Sequence, residues 1–348
     1  MSVRAGKRTI GAGEACFIAA EIGINHNGDM ELARRMIVAA AEAGADAVKF
    51  QNYRTEDFVT DRALLYRYTQ AGREVVESQY EMFKRCELPP GALRRLAQVA
   101  RDCGIEFFST PTGIDGIVEL VSAGATLVKN GSDFLTQLGL VRAMAASGLP
   151  TVLSTGMATV TEIDDAVNAF RDAGGEQLVL LHCTSSYPTP PTQVHLRKIR
   201  TLAQRYGCPI GLSDHSLGIH AALGAVSLGA AFVEKHFTLD RGLAGPDQGM
   251  SCDVRELRDL VRGVRELEAM LGCDELGPTT SETAARANFR LSCVAGRDLL
   301  VGSTLEPESI VFRRPGTGLP PKALELIVGR ALARTIKSGA VLEFKDFV

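Results

Sequence analysis

Apolar and polar positions follow two periods along the first three quarters of the chain. Stretches with apolar residues at three- and four-residue spacing end at a glycine, a short and nearly continuous apolar run follows, and a polar tail closes the phrase. The phrase occurs at Gly44 (ADAVKFQ), Gly104 (IEFFST), Gly124 (ATLVKNGS), Gly148 (LPTVLSTG), Gly175 (EQLVLLHCTS), Gly207 (CPIGLSD) and Gly229 (AAFVEKHF). With FIAAEIG at Phe17 to Gly23 ahead of them, the apolar runs number eight. Glycine after an amphipathic helix is a left-handed stop, and short β-rich runs separated by helical stretches of about ten to fifteen residues are βαβ units. Eight units in series predict an α/β protein of the (β/α)8 TIM-barrel kind, about 250 residues long.

Three stretches break the rhythm. Asn25 to Asp29 is a turn cluster placed to cap the helix of ELARRMIVAAAEAG. The excursion from Thr55 to Pro90, rich in polar and aromatic residues, is long enough to predict a lid or interface segment on the active rim. After a helix of roughly Val254 to Leu271, the Pro/Gly-containing stretch 272–288 predicts a linker, and short β-like runs predict a small β-rich second domain over 289–348. The barrel then occupies 1–271.

Composition narrows the function classes. The 348 residues are 45% hydrophobic and 23% charged, with a net charge of -3 and no basic run, which argues against a nucleic-acid or anionic-membrane partner. Apolar runs are strand-sized and the first residues lack a basic-then-apolar leader, so a soluble, cytoplasmic protein is expected. Eight cysteines without a C-x-x-C pair suit reduced thiols rather than a disulfide framework; Cys183, at a strand end, stands nearest to candidate chemistry.

In such a barrel, reactive groups sit at strand C-termini, so the tails can be read in order. They are Glu21; Lys49 and Gln51; Ser109 and Thr110; Lys129 and Ser132; Ser154 and Thr155; His182, Thr184 and Ser185; Ser213 and His215; Glu234 and His236. Two lysines and several hydroxyls suit a small, multiply charged anion such as a phosphate ester. The stretch Pro209 to Thr238 ends two successive strands in His215 and His236, and a pair of neutral imidazoles at one rim would hold a divalent ion with open positions. Ligand type leaves Mn, Fe, Co, Ni and Zn open.

The phrases EIGINHNGD, KFQ, FFSTP, VKNGSD, LSTGM, LLHCTSSYPTPP, GLSDHSLG, EKHFTLDR with GPD, and FRRPGTGLPP, in this order over nearly the whole chain, resemble the sialic acid synthase family. The resemblance implies a barrel followed by a C-terminal antifreeze-like (SAF) domain that packs over the other subunit's barrel in a domain-swapped homodimer. It implies condensation of phosphoenolpyruvate with an open-chain N-acetylmannosamine-type sugar, giving a nine-carbon 2-keto-3-deoxy sugar acid and phosphate, with Mn2+ (or Mg2+ or Co2+) as cofactor.

Carried over residue by residue, the metal histidines match His215 and His236. The phosphoenolpyruvate positions match Lys49, Lys129, Ser132, Ser154, Ser185 and Ser213. Sugar-side positions match Glu21, Gln51, Tyr187 and Asp247. The arginine given by the second subunit to the acetamido group matches Arg314. Glu21 is expected to stabilise a cationic centre or steer water. Asp133, where many members carry Glu, and Gln248, where many carry His, depart from the pattern and are both expected on the sugar side. Two other readings fit the residues: a Schiff-base aldolase on Lys49, Lys129 or Lys235, and a non-catalytic carbohydrate- or ice-binding protein.

Overall fold

The computed structural model describes residues 1–70 and 72–348, in two compact units, Met1–Gly272 and Cys273–Val348. The first opens with an antiparallel hairpin of β1 (Ser2–Ala5) and β2 (Arg8–Gly11), followed by β3 (Phe17–Gly23), α1 (Met30–Glu42) and β4 (Ala47–Asn52). The excursion follows as α2 (Thr55–Phe58), a second hairpin of β5 (Leu65–Gln70) and β6 (Arg73–Ser78), and α3 (Gln79–Cys86). The alternation then resumes: α4 (Ala92–Asp102), β7 (Glu106–Pro111), α5 (Ile114–Ala123), β8 (Leu127–Lys129), α6 (Leu138–Ala146), β9 (Thr151–Ser154) and α7 (Val160–Asp172). It closes with β10 (Leu178–Cys183), α8 (Lys198–Tyr206), β11 (Ile210–Asp214), α9 (His220–Ser227), β12 (Phe232–His236) and α10 (Val254–Leu271).

Strands β3, β4 and β7 to β12 close into an eight-stranded parallel barrel, so all eight apolar runs are barrel strands. Side chains alternate across a strand, and the alternation sorts the chain here. Ile18, Ala20 and Ile22 face the helices, packing with Met36, Ile37, Leu96 and Leu260. Phe17, Ala19, Ala47, Phe108, Leu127, Val152 and Phe232 face inward and fill one half of the barrel. Val3, Ala5 and Ile10 of the first hairpin join that inner core as its plug. The hairpin is missing from the sequence expectation because two four-residue strands are too short for a period-two signal to stand out.

Helix ends follow local chemistry. Asp29 caps α1, accepting from the backbone N–H groups of Glu31 and Leu32. At the end of α7 the left-handed residue is Gly174 (φ 82°) and not Gly175, which lies against the Phe170 ring, where a Cβ would come within 2.4 Å. The expected linker 272–288 is not wholly irregular: it runs into α11 (Glu282–Phe289), whose first turn is tied by Thr279 N–H donating to Glu282 Oε2 at 2.8 Å. The second unit continues with β13 (Ser292–Ala295), β14 (Ile310–Arg313) and the single turn α12 (Leu324–Ile327). Its strands pair antiparallel over a small core that includes Leu305, Ile327, Leu332 and Leu342.

Candidate active site

Inward-facing positions change character along each strand. The period that buries Phe17 and Ala19 brings Glu21 inward next; Ala47 leads to Lys49 and Gln51, Phe108 to Thr110, Leu127 to Lys129, and Val152 to Ser154. Leu181 leads to Cys183, Gly211 to Ser213 and His215, and Phe232 to Glu234 and His236. All of these polar residues line one cavity of about 450 Å3 at the C-terminal ends of the strands. The opposite parity takes Ser109, His182, Asp214 and Lys235 out of it: His182 Nε2 meets Val194 O at 2.6 Å, and Lys235 Nζ donates to Asp214 Oδ2 and Ser216 O, both at 2.7 Å.

The floor is a buried network. Lys49 Nζ lies 2.8 Å from Glu21 Oε1 and 3.9 Å from Glu234 Oε1, and donates to Thr110 Oγ1 at 3.1 Å. Lys129 Nζ lies 3.3 Å from the same Glu234 oxygen, which also accepts from Ser213 Oγ at 3.0 Å. Burial pushes the Glu21 carboxyl up; Lys49 opposes that and Glu234 adds to it, leaving Glu21 above the usual carboxylate range. Burial acts on Glu234 in the same direction, but Lys129 and Lys49 outweigh it and hold its carboxyl below that range. For Lys49, burial favours the neutral amine, yet Glu21 and Glu234 raise it, so it stays an ammonium. Each lysine therefore already rests on a carboxylate, and one oxygen of Glu21 and one of Glu234 are buried without a partner.

Beside the lysines is an oxygen-rich cradle. Gly156 N–H donates to Ser132 Oγ at 3.1 Å, and Ser132 Oγ donates to Ser154 Oγ at 2.9 Å. A Cβ on Gly156 would sit 2.4 Å from Ser185 Oγ and 2.7 Å from Ser132 Oγ, so only glycine lets the backbone come this close.

The two imidazoles meet on the rim, their ring centroids 5.3 Å apart, with the Tyr187 ring 4.2 Å from that of His215 and tilted 40° to it. Thr184 O lies 2.9 Å from His215 Nδ1; a carbonyl only accepts, so Nδ1 carries a proton, and in the neutral form of the ring the lone pair is on Nε2. Burial, followed by the positive charge of His215 and the two lysines, drives His236 well below its ordinary range, which keeps that ring neutral. Its Nδ1 is buried without a hydrogen-bond partner, 3.6 Å from Asp247 Oδ2. His236, neutral and with an unpartnered Nδ1, fits a ligand of a divalent ion completed by oxygen donors; His215, oriented by a carbonyl and, against its burial, raised by the neighbouring Cys183, would join it on giving up a proton. Among the described residues no group of three or more His, Cys, Asp or Glu side chains is arranged to hold a metal by itself.

Of the remaining expected residues, Gln51 Nε2 donates to Glu21 Oε1 at 3.1 Å, and Asp133, Ser185 and Asp247 line the cavity. Burial raises Asp247 to about 6, against His215 and Lys49. Arg314 lies in the second unit, exposed, its Nε donating to Phe289 O at 3.1 Å. Gln248 corrects an expectation: it faces away from the cavity, donating to Asn25 O at 2.8 Å and accepting from Thr238 Oγ1, and so braces the loops beneath the rim. Thr110 and Glu234, read among the strand tails, and Cys183, noted at its strand end, join the site, although the resemblance assigned none of them a role. Counting by twos from the inward Phe232, Phe108 and Leu181 finds all three. Burial pushes the Cys183 thiol up, but His215, 3.8 Å away, overrides it and brings the thiol to about 6.

Residues 36–275 match the NeuB family model and residues 292–348 the SAF domain model. The chain is 38% identical over 336 residues to N,N'-diacetyllegionaminic acid synthase of Legionella pneumophila, covering 95% of this chain and 94% of that one. It is 32% identical over 331 residues to pseudaminic acid synthase of Campylobacter jejuni, covering 95% and 96%. The crystal structure of N-acetylneuraminic acid (sialic acid) synthetase from Leptospira borgpetersenii in complex with citrate superposes with a TM-score of 0.74 at 36% identity, covering 82% of this chain and 95% of that one.

Proposed function

The chain belongs to the NeuB family and is a phosphoenolpyruvate-dependent, carbon–carbon bond-forming synthase of a nine-carbon keto sugar acid; we propose that its acceptor is an N-acetylmannosamine-type sugar, that the product is of the N-acetylneuraminate or legionaminate type, and that the cavity at the strand ends is where the two substrates meet. The observation that carries this assignment is the convergence of the lysine pair, the serine cradle and the two imidazoles on that one cavity.

The division of labour follows from charge. Phosphoenolpyruvate brings about three negative charges, and Lys49 and Lys129, with the hydroxyls of Ser132, Ser154, Ser185 and Ser213, hold its phosphate and carboxylate. Because both ammonium groups are already matched by Glu21 and Glu234, the anion also needs a further positive charge or a proton on one of those carboxylates. His215 and His236 would hold the divalent ion, Mn2+ first among the choices; when bound it supplies Lewis-acid polarisation of the aldehyde oxygen. Tyr187, Gln51, Asp133 and Asp247 orient the sugar. As the enol carbon bonds to the aldehyde carbon, the carbonyl π pair moves to the aldehyde oxygen, which takes up a proton to become a hydroxyl, and cationic character builds at the phosphate-bearing carbon. Glu21, held above the usual carboxylate range, shields that centre or takes the proton of the water that adds there before phosphate leaves. Lys49, kept charged, is unsuited to forming a Schiff base, and Lys235 faces away from the cavity.

The protein as an assembly is proposed to be a homodimer in which Arg314 reaches the acetamido group of the sugar in the other subunit's barrel. Incubation with phosphoenolpyruvate and a panel of 2-acetamido sugars, following phosphate release and product mass, tests the reaction. Turnover that falls at least a hundredfold on chelation and returns with Mn2+ is expected; phosphate release without a phosphoenolpyruvate–sugar adduct by mass would overturn it. Mixing Arg314→Ala with His236→Ala chains tests the sharing of Arg314: recovered turnover is expected, and none in verified heterodimers removes that role.

A further inference from the structure

Behind the two imidazoles lies a buried ion pair that the condensation does not use. Leu212 and Val233 pack toward the helices, and two residues on from each the same parity places Asp214 and Lys235. Lys235 Nζ donates to Asp214 Oδ2 and to Ser216 O, both at 2.7 Å. The other oxygen of Asp214 accepts from Ser216 N–H at 2.8 Å and from Ser216 Oγ at 2.6 Å, closing a tight turn with His215 at its centre. Asp214, Lys235 and Ser216 are all buried, and none of them lines the cavity.

The backbone ladder does not tie the two histidines to each other. The last rung between β11 and β12 is Asp214 against Lys235, one residue short of both rings. Beyond it the chains part. His236 pairs with Glu21 of β3, and its carbonyl accepts from Cys252 N–H at 2.8 Å. The carbonyl of His215 accepts from Thr189 N–H at 2.9 Å, and its ring meets Thr184 O, both in the segment after β10. Each imidazole is therefore anchored to a different part of the rim. Lys235 joins the two anchors, because it is bonded covalently to His236 while its ammonium grips the residues on either side of His215. Bonds from an ammonium to a carboxylate and a carbonyl at this length are charge-assisted and hold their geometry firmly.

Resting on the proposed role of His215 and His236 as metal ligands, we infer that Lys235 and Asp214 are positioning residues that set the spacing of the two imidazoles for a divalent ion. Two rings alone make a sparse ligand set, so the ion's affinity depends on how little the rings must move to meet it. The pair carries no net charge, so what it supplies to a cation is geometry and not attraction. Stability does not account for it either: a buried ion pair gains little over apolar side chains of the same volume, and fixing one arrangement is its best-attested use. Loss of partners that orient metal ligands costs about ten- to a hundredfold in metal affinity, which sets the scale expected here.

The test titrates Mn2+ into the full chain without substrates and follows the free-ion signal by electron paramagnetic resonance, for the wild type, for His236→Ala and for the double variant Asp214→Asn with Lys235→Met. The double variant removes both charges together, so the field at the ion is little changed while the grip on Ser216 is lost. Wild-type binding that His236→Ala abolishes is expected, with the double variant weaker by about ten- to a hundredfold and its Tm within about 3 °C of the wild type. In turnover, the Mn2+ concentration for half-maximal rate should rise by the same factor, with the KM for phosphoenolpyruvate unchanged. Wild-type Mn2+ affinity in the double variant overturns the inference and leaves the histidine pair standing. Mn2+ binding that is absent, or unaffected by His236→Ala, removes the metal site and the inference with it. Weaker binding accompanied by a Tm lowered by more than about 10 °C assigns the pair a merely structural role and counts against positioning. Should the double variant fail to fold, Lys235→Arg, which keeps the charge but spreads its donors over a planar fork, must weaken Mn2+ about threefold or more; unchanged affinity overturns the inference.

Discussion

The floor of the cavity holds Glu21, Lys49, Lys129 and Glu234 in one chain of buried charges, whereas the rim between β4 and β8 is mostly rings (Tyr53, Phe58, Phe83 and Phe134) with Met82, and its polar groups include the hydroxyls of Tyr66 and Thr112 and the carboxylate of Asp133. The floor is built on strands whose neighbours fix each Cα: Glu21 pairs with Lys49 across β3 and β4, and Ser213 with Glu234 across β11 and β12. Most of that rim hangs on the excursion between β4 and β7, a segment with its own hairpin and short helices. Charges held that tightly suit chemistry that must not vary, while an apolar surface carried by an insertion changes the fit of a substrate without disturbing the charges beneath it.

The largest effect should come from breaking the floor. Lys49→Met is expected to lower kcat/KM by about a thousandfold or more, as loss of a preorganised cation does, and to lower Tm because Glu21 loses its 2.8 Å partner. Adding Glu21→Gln to that chain should restore Tm but not activity; restored activity would mean that the pair is structural only.

The dryness of the barrel beside that rim is tested next by His26, two residues beyond Ile24, whose ring packs on Phe50 with centroids 5.8 Å apart. Burial lowers His26 to about 4, so it stays neutral in the folded chain while the unfolded chain takes up a proton below about 6.5. Its contribution to stability is complete above pH 6.5 and is lost as pH falls toward 4, by up to about 3 kcal/mol. Denaturant unfolding of the wild type should show that extra loss relative to His26→Asn between pH 7 and 4. Parallel pH profiles would make this side of the barrel wet.

Glu21→Gln alone keeps the shape of the floor and removes its titrating carboxyl. A fall in kcat of about ten- to a hundredfold is expected, with little change in the KM for phosphoenolpyruvate; near-full turnover removes the catalytic role of Glu21. Ser132→Ala should have the smallest effect, about tenfold in the KM for phosphoenolpyruvate, because Gly156 N–H and Ser154 remain in the cradle. A large loss in kcat instead would place Ser132 at the reacting carbon.

The sequence by itself determined the eight barrel strands and the rim on which the lysines, serines and histidines gather, because a period of two and a glycine-ended helix are local signals that survive in any single chain. It also carried Glu234, Thr110 and Cys183, which counting by twos along the strands reveals, and it misplaced Gln248, whose direction depends on Thr238 and Asn25 in separate loops. Only the tertiary structure decided that each lysine is already matched by a carboxylate, that β7 and β8 face β11 and β12, and that the excursion turns its rings inward while its cations pair with its own acids. These are distances between residues remote in sequence, set by barrel closure and by competition among charges for partners, and no local pattern encodes them.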